Sequence, residues 1–152
     1  MSKKRCIRKV YAKINPIHYV MESIKPVNQA SVDKLLTREL SSLEAMAKGS
    51  GTLQEWTDLN DVLSLCETMA RNGIGNEALD ACKTLQADLI AAAKRYEQTK
   101  RMGMTATGIQ AARDVIEYHN LQRTSITLIE YEKQIKITTQ RRNSRSPEVV
   151  EI

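Results

Sequence analysis

The chain has no phenylalanine and only one tryptophan among its 152 residues, and five tyrosines complete its aromatic set. A core so poor in aromatics suits helices packed on helices better than a sheet, whose pleated faces favour aromatic and β-branched side chains. It also leaves no stacking platform for the bases of a single-stranded nucleic acid. Cysteine is scarce: Cys6, Cys66 and Cys82 are odd in number and widely spaced, which argues against a disulfide framework and for a reduced compartment. His18 and His119 are the only histidines. These five residues are each isolated, so no metal is expected, and Glu117-Tyr118-His119 has the wrong step for the Glu-x-x-His pair of a di-iron bundle. No apolar run approaches the ~20 residues of a membrane helix, and the first residues lack the apolar segment and cleavage site of a signal peptide. No membrane partner is expected, and the expected location is cytoplasmic.

What the chain does have is helical periodicity. The stretch Thr52–Arg101 organises it, around the pivot Gly73-Ile74-Gly75-Asn76. Before the pivot, Leu53, Trp56, Leu59, Leu63, Cys66 and Ala70 recur at three- and four-residue steps. After it, Leu79, Cys82, Leu85, Leu89, Ala92, Ala93 and Tyr96 do the same. Two amphipathic helices therefore form a hairpin, with a helix stop and a helix start back to back at the pivot. The second helix is expected to run over Asn76–Arg101, closed by Met102-Gly103.

Around this hairpin the remaining elements follow from caps and breakers. Asn15-Pro16 opens a short helix to about Ile24 that places Ile17, Val20, Met21 and Ile24 on one face, and Pro26 ends it. A helix beginning near Ser31 carries the stripe Val32, Leu35, Leu36, Leu40, Leu43, Met46 and Ala47, and Gly49-Ser50-Gly51 stops it. Thr52-Leu53-Gln54-Glu55 is a capping box. Thr105 or Thr107 opens the last element, with Ile109, Ala112, Ile116, His119, Arg123 and Ile126 on one face. Leu121, Leu128 and Ile135 mark a second face at seven-residue steps. Unbroken to about Gln140, this helix would be roughly 50 Å long at ~1.5 Å per residue, and Thr124-Ser125 with Ile126-Thr127 is where a bend is expected. Apolar residues on two faces invite a partner helix, so Leu121, Leu128 and Ile135 are candidates for self-association as a homodimer. The expected architecture is a single all-α domain, a bundle of four or five helices over residues 15–140 with a long C-terminal helix. A flexible basic arm (1–14) precedes it and a disordered tail (141–152) follows.

The formal net charge of +5 is carried by the ends. Lys3, Lys4, Arg5, Arg8, Lys9 and Lys13 stand in the first thirteen residues without a single acid, whereas acids outnumber bases in the body. Such an arm can neutralise phosphates, giving sequence-independent and salt-sensitive affinity for nucleic acid, so these six residues are the candidate nucleic-acid contacts. The helices after Gly49–Gly51 and Gly73–Gly75 begin acidic, which argues against a recognition helix.

No constellation announces a reaction. Glu117 and His119, two residues apart on a helix, point in different directions and cannot share a proton directly. No Ser or Cys stands in a strained turn beside a base. Gly73-Ile74-Gly75 lacks the preceding strand and third glycine of a dinucleotide loop, and reads as a helix cap. No catalytic residue, cofactor or metal is assigned, and the chain reads as a non-enzyme.

The pattern as a whole resembles a group of small helical proteins encoded in proteobacterial phages and prophages. The resemblance rests on Lys3-Lys4-Arg5, Tyr19-Val20-Met21-Glu22-Ser23-Ile24, Pro26-Val27, Ala45-Met46-Ala47-Lys48-Gly49 and Thr52. It continues with Leu63, Cys66-Glu67, Gly73-Ile74-Gly75, Glu117-Tyr118-His119-Asn120-Leu121-Gln122, Thr124 and Glu130, while Arg101-Met102-Gly103-Met104 departs from the group's pattern. It implies a helical fold and a phage-accessory setting, without an activity. The expected function is therefore contact with a host or phage protein, and the alternative is a nucleic-acid-associated accessory protein using the basic arm.

Overall fold

The computed structural model describes Ile17, Val20, Met21 and residues 24–144. Among these residues the chain is an all-α bundle of five α-helices: α1 Gln29–Ala47, α2 Leu53–Arg71, α3 Leu79–Thr99, α4 Ala106–Ser125 and α5 Leu128–Ser144. A short 3-10 turn, Asn76–Ala78, leads into α3. The arm, the Asn15-Pro16 start and residues 145–152 lie outside the described residues.

The hairpin forms as its stripes require. Thr52 and Glu55 make the reciprocal capping box that starts α2. At the other end, Gly73 N–H donates to the Ala70 carbonyl and Ile74 N–H to the Met69 carbonyl, closing the helix. Gly73 and Gly75 both take positive φ (86° and 74°), which a residue with a Cβ resists. Leu59, Leu63 and Cys66 of α2 and Cys82, Leu85 and Leu89 of α3 are buried in one cluster with Leu43 and Met46 of α1 and Ala112, Val115 and Ile116 of α4. Trp56 is half-buried and its Nε1–H donates to the Leu89 carbonyl at 2.9 Å, tying α2 to α3.

Several boundaries differ from expectation for local reasons. Asn28, not Ser31, starts α1, because its Oδ1 accepts from the Ala30 and Ser31 amides. α3 ends at Thr99, with Lys100 in the left-handed region (φ 56°), rather than running to Arg101. Met102 is wholly buried and pairs with Gly51 in an isolated antiparallel bridge, which draws the loop inward. The segment from Thr105 to Gln140 is two helices. Ile126 is extended, Thr127 bridges Pro26, and Leu128 N–H donates to the Lys25 carbonyl at 2.9 Å. The break falls in the β-branched run where a bend is expected, and the chain around Pro26 holds it open. The 17-residue α5 is still a long C-terminal helix. It also corrects the expected tail: Arg141–Ser144 continue α5, because Arg141 and Arg142 are anchored on α2.

α3 and α4 make the most extensive helix contact, and α1 packs on both α2 and α4. Gly108 is what lets α3 and α4 approach: a Cβ placed there would lie 1.8 Å from Asp88 Oδ2 and 2.7 Å from the Asp88 Cβ. Asp88 in turn accepts from Thr105 Oγ1 at 2.7 Å and from the Thr105 amide at 3.3 Å, fixing the start of α4. Helix propensity alone would have Gly108→Ala stabilise by about 1 kcal/mol. The steric conflict reverses that sign: thermal or urea unfolding should show a loss of about 1–3 kcal/mol, while Thr107→Ala next to it stays near parent stability.

Candidate functional site

Among the described residues, buried charged side chains from several helices converge between α1, α2, α4 and α5. A cavity of about 130 Å³ there is lined by Leu35, Arg38, Glu39, Asp58, Asp61, Val62, Leu65, His119, Arg123 and Tyr131. Arg123 is fully buried and Glu39 nearly so. Arg123 Nη1 and Nη2 donate to the two carboxylate oxygens of Glu39 at 2.7 and 2.9 Å, a bidentate pair across 84 residues of sequence. Burial drives the Glu39 carboxyl above its usual range, against the opposing pull of Arg123. Burial likewise raises the Tyr131 phenol.

The neighbouring pair is more solvated. Arg38 Nη2 donates to Asp58 Oδ1 at 2.5 Å, Ser42 Oγ to Asp58 Oδ2 at 2.9 Å and Gln54 Nε2 to Asp58 Oδ1 at 2.9 Å. Burial acts to raise Asp58, but these three donors outweigh it and the carboxyl lies below its usual range.

His119 is buried beside Arg123, as its place on the apolar stripe implies. Gln122 Nε2 donates to the carbonyls of Ile74 (2.7 Å) and Cys66 (3.3 Å), so its Oε1 must face His119 Nδ1 at 3.1 Å. The His119 Nδ1–H is therefore the donor, and the tautomer is set. Burial, with the Arg123 charge alongside, pulls His119 down to about 3, so the ring is neutral at physiological pH. Among the described residues two buried side-chain atoms have no hydrogen-bond partner, Arg123 Nε and Asn120 Oδ1. As chemistry, the cluster supplies fixed charges and a neutral imidazole, each already engaged; it holds helices together, and a proton moved through it would have to break a packed bond.

Glu117 is exposed while His119 is buried, so the two diverge as their spacing requires. Cys66 and Cys82 are free and buried; the hydrogen bond between them and their burial push the Cys66 thiol up. Cys6 and His18 lie outside the described residues, as do Lys3, Lys4, Arg5, Arg8, Lys9 and Lys13. Among the described residues no group of His, Cys, Asp and Glu is placed to hold a metal, and no helix is long and apolar enough to cross a membrane. Leu121 and Ile135 are exposed and Leu128 is half-buried, but the break at Ile126-Thr127 puts Leu121 on a different helix from the other two. They do not form one continuous stripe. Comparison of the chain with protein-family models, curated proteins and solved structures returned no match.

Glu39 and Asp58 escape a reading of the sequence because each is an ordinary charged residue on a helix. The available signal was Arg123, a guanidinium on an apolar stripe, which demands a buried acid. Removing one partner should be costly: Arg123→Met is expected to lose about 3–5 kcal/mol in urea unfolding, and Glu39→Leu combined with Arg123→Met much less. His119 gives a second test. The unfolded imidazole takes up a proton below about 6.5 whereas the folded one resists until about 3. Stability from this residue is thus fully present above 6.5 and is lost as pH falls toward 3, by up to about 1.4 kcal/mol per pH unit. His119→Asn should flatten the dependence of unfolding free energy on pH across that window, whatever its effect at pH 7.

Proposed function

We propose that the protein is a non-enzymatic, phage-type accessory protein that acts in the cytoplasm by contact with a host or phage protein. One observation carries this reading. Ile17, Val20, Met21 and Ile24 recur at helical spacing ahead of the bundle, and they are 71, 57, 62 and 69% exposed. Four large apolar side chains grouped in this way are the pattern of a helix that lays one face into a groove of a partner. The phage setting is supported by the resemblance in Tyr19–Ile24 and the stretches that follow it. Self-association through Leu121, Leu128 and Ile135 is part of the same proposal, now as patches from two helices rather than one stripe.

A tagged chain should retain a stoichiometric, nuclease-insensitive partner from bacterial lysate. Ile17→Asp with Met21→Asp should abolish that retention while shifting unfolding by less than about 0.5 kcal/mol, since both sites are exposed. Equal retention by the double variant would overturn the assignment. In light scattering the parent is expected to be a dimer at tens of micromolar, and Leu121→Glu with Ile135→Glu a monomer. The second reading, association with nucleic acid through Lys3, Lys4, Arg5, Arg8, Lys9 and Lys13, is supported by the charge of the arm. It requires retention that weakens with salt and disappears when residues 1–13 are removed.

A further inference from the structure

The bundle carries a basic end of its own, apart from the arm. Where α1 stops and the loop from α3 to α4 passes, an open depression of about 570 Å³ has Lys48, Arg95 and Arg101 as its only charged lining residues. Lys100, the C-cap of α3, follows Thr99 at its edge with its Nζ 5.7 Å from the centre of the Tyr96 ring, and Lys94 lies on α3 one residue before Arg95; all five bases are exposed.

Compensation of the helix dipole accounts for one or two bases near the end of a helix, each contributing about 0.3–1 kcal/mol. It accounts for Lys48, the C-cap of α1, and Lys100, the C-cap of α3, but not for Arg101, which lies beyond the end of α3. Three acids lie nearby: Glu44 pairs with Lys48 at 2.6 Å, Asp88 accepts from the Thr105 hydroxyl and amide at the floor of the α3–α4 loop, and Glu97 is exposed on α3. Lys94 and Arg101 make no side-chain hydrogen bond or ion pair among the described residues.

The platform is also rigid. Arg95 Nη2 donates to the Gly103 carbonyl at 3.0 Å, Met102 is wholly buried, and the Gly51–Met102 bridge ties the loop to the end of α1. A fixed loop presents its bases without an ordering cost on binding. No aromatic side chain lines the depression, so nothing there can read a base by stacking.

We propose that this end of the bundle binds the phosphodiester backbone of nucleic acid without sequence preference. Lys48, Arg95 and Arg101 take phosphate in the depression, and Lys94 and Lys100 meet phosphates beyond it. The site goes beyond the protein-contact reading and is independent of it.

The test is fluorescence anisotropy of a short labelled DNA duplex with the full chain, between about 50 and 200 mM salt. The variant is Lys48→Gln with Arg101→Gln, both lining the depression; Arg95 is spared because it holds the Gly103 carbonyl. Unfolding curves of parent and variant should coincide. Affinity should fall about tenfold at the lower salt for every duplex sequence tried, and the slope of log K against log salt should lose about two. Undetectable binding by the parent at low salt would overturn the proposal, and so would parent-like affinity and slope in the variant. Displacement of the duplex by inorganic phosphate, but not by chloride at equal ionic strength, would indicate a single-anion pocket and overturn it as well. None of these outcomes bears on the Ile17 and Met21 contact, which the lysate experiment tests separately.

Discussion

The fold turns on the buried ion pair between Glu39 and Arg123. Neither charge could enter the interior alone, since the desolvation of each costs several kcal/mol. They are buried because the bidentate geometry returns two charge-assisted hydrogen bonds for that cost. Arg38, the residue before Glu39, binds Asp58 of α2 while Glu39 binds Arg123 of α4. Consecutive residues on a helix point about 100° apart. Two ion pairs made by neighbours therefore fix how α1 is rotated about its own axis, a degree of freedom that Leu-on-Leu packing leaves loose. This is a specifying role rather than a stabilising one, since a well-packed apolar pair could be as stable.

α4 carries the same logic to the pivot. Gln122, the residue before Arg123, donates to the carbonyls of Ile74 and Cys66, and the Gly75 position leaves only enough room for its side chain. The pivot of the hairpin is thus read by α4, and His119 completes the contact from one turn earlier. A glycine loop that could suggest a ligand site is occupied by the protein's own amide.

How much of this was legible follows from which interactions leave a periodic trace. The hairpin did, because its stripes are apolar and its ends are capped by residues close in sequence, Thr52 with Glu55 and Gly73 with Ala70. The break at Ile126-Thr127 left a partial trace in β-branched residues, and its cause, the bridge to Pro26, lies a hundred residues away. The docked face of α5 left none. Its buried side chains are Tyr131, Gln134 and Thr138, and it is tied to α2 by Asn72 with Gln134, Thr68 with Arg141 and Asp61 with Arg142. A hydrophobic pattern points instead to Leu128 and Ile135, and Ile135 is exposed. The charged cluster was hidden for the same reason, with Arg123 on an apolar stripe as its only mark.

α5 contributes nothing to the apolar cluster shared by α1 to α4. What it covers is the polar one: Tyr131 lies over the cavity that holds Glu39, Arg123 and His119. Its seam with α2 is made largely of hydrogen bonds that water can replace, so its separation forfeits little apolar burial of its own. Yet separation would admit water to the Glu39–Arg123 pair, whose strength depends on a low local dielectric. Docking of α5 and the worth of the buried charges are consequently coupled, although hydrogen bonds rather than apolar packing hold the cover in place. The last helix therefore links the outer surface of the bundle, where Ile135 is exposed, to the interaction that orients its helices.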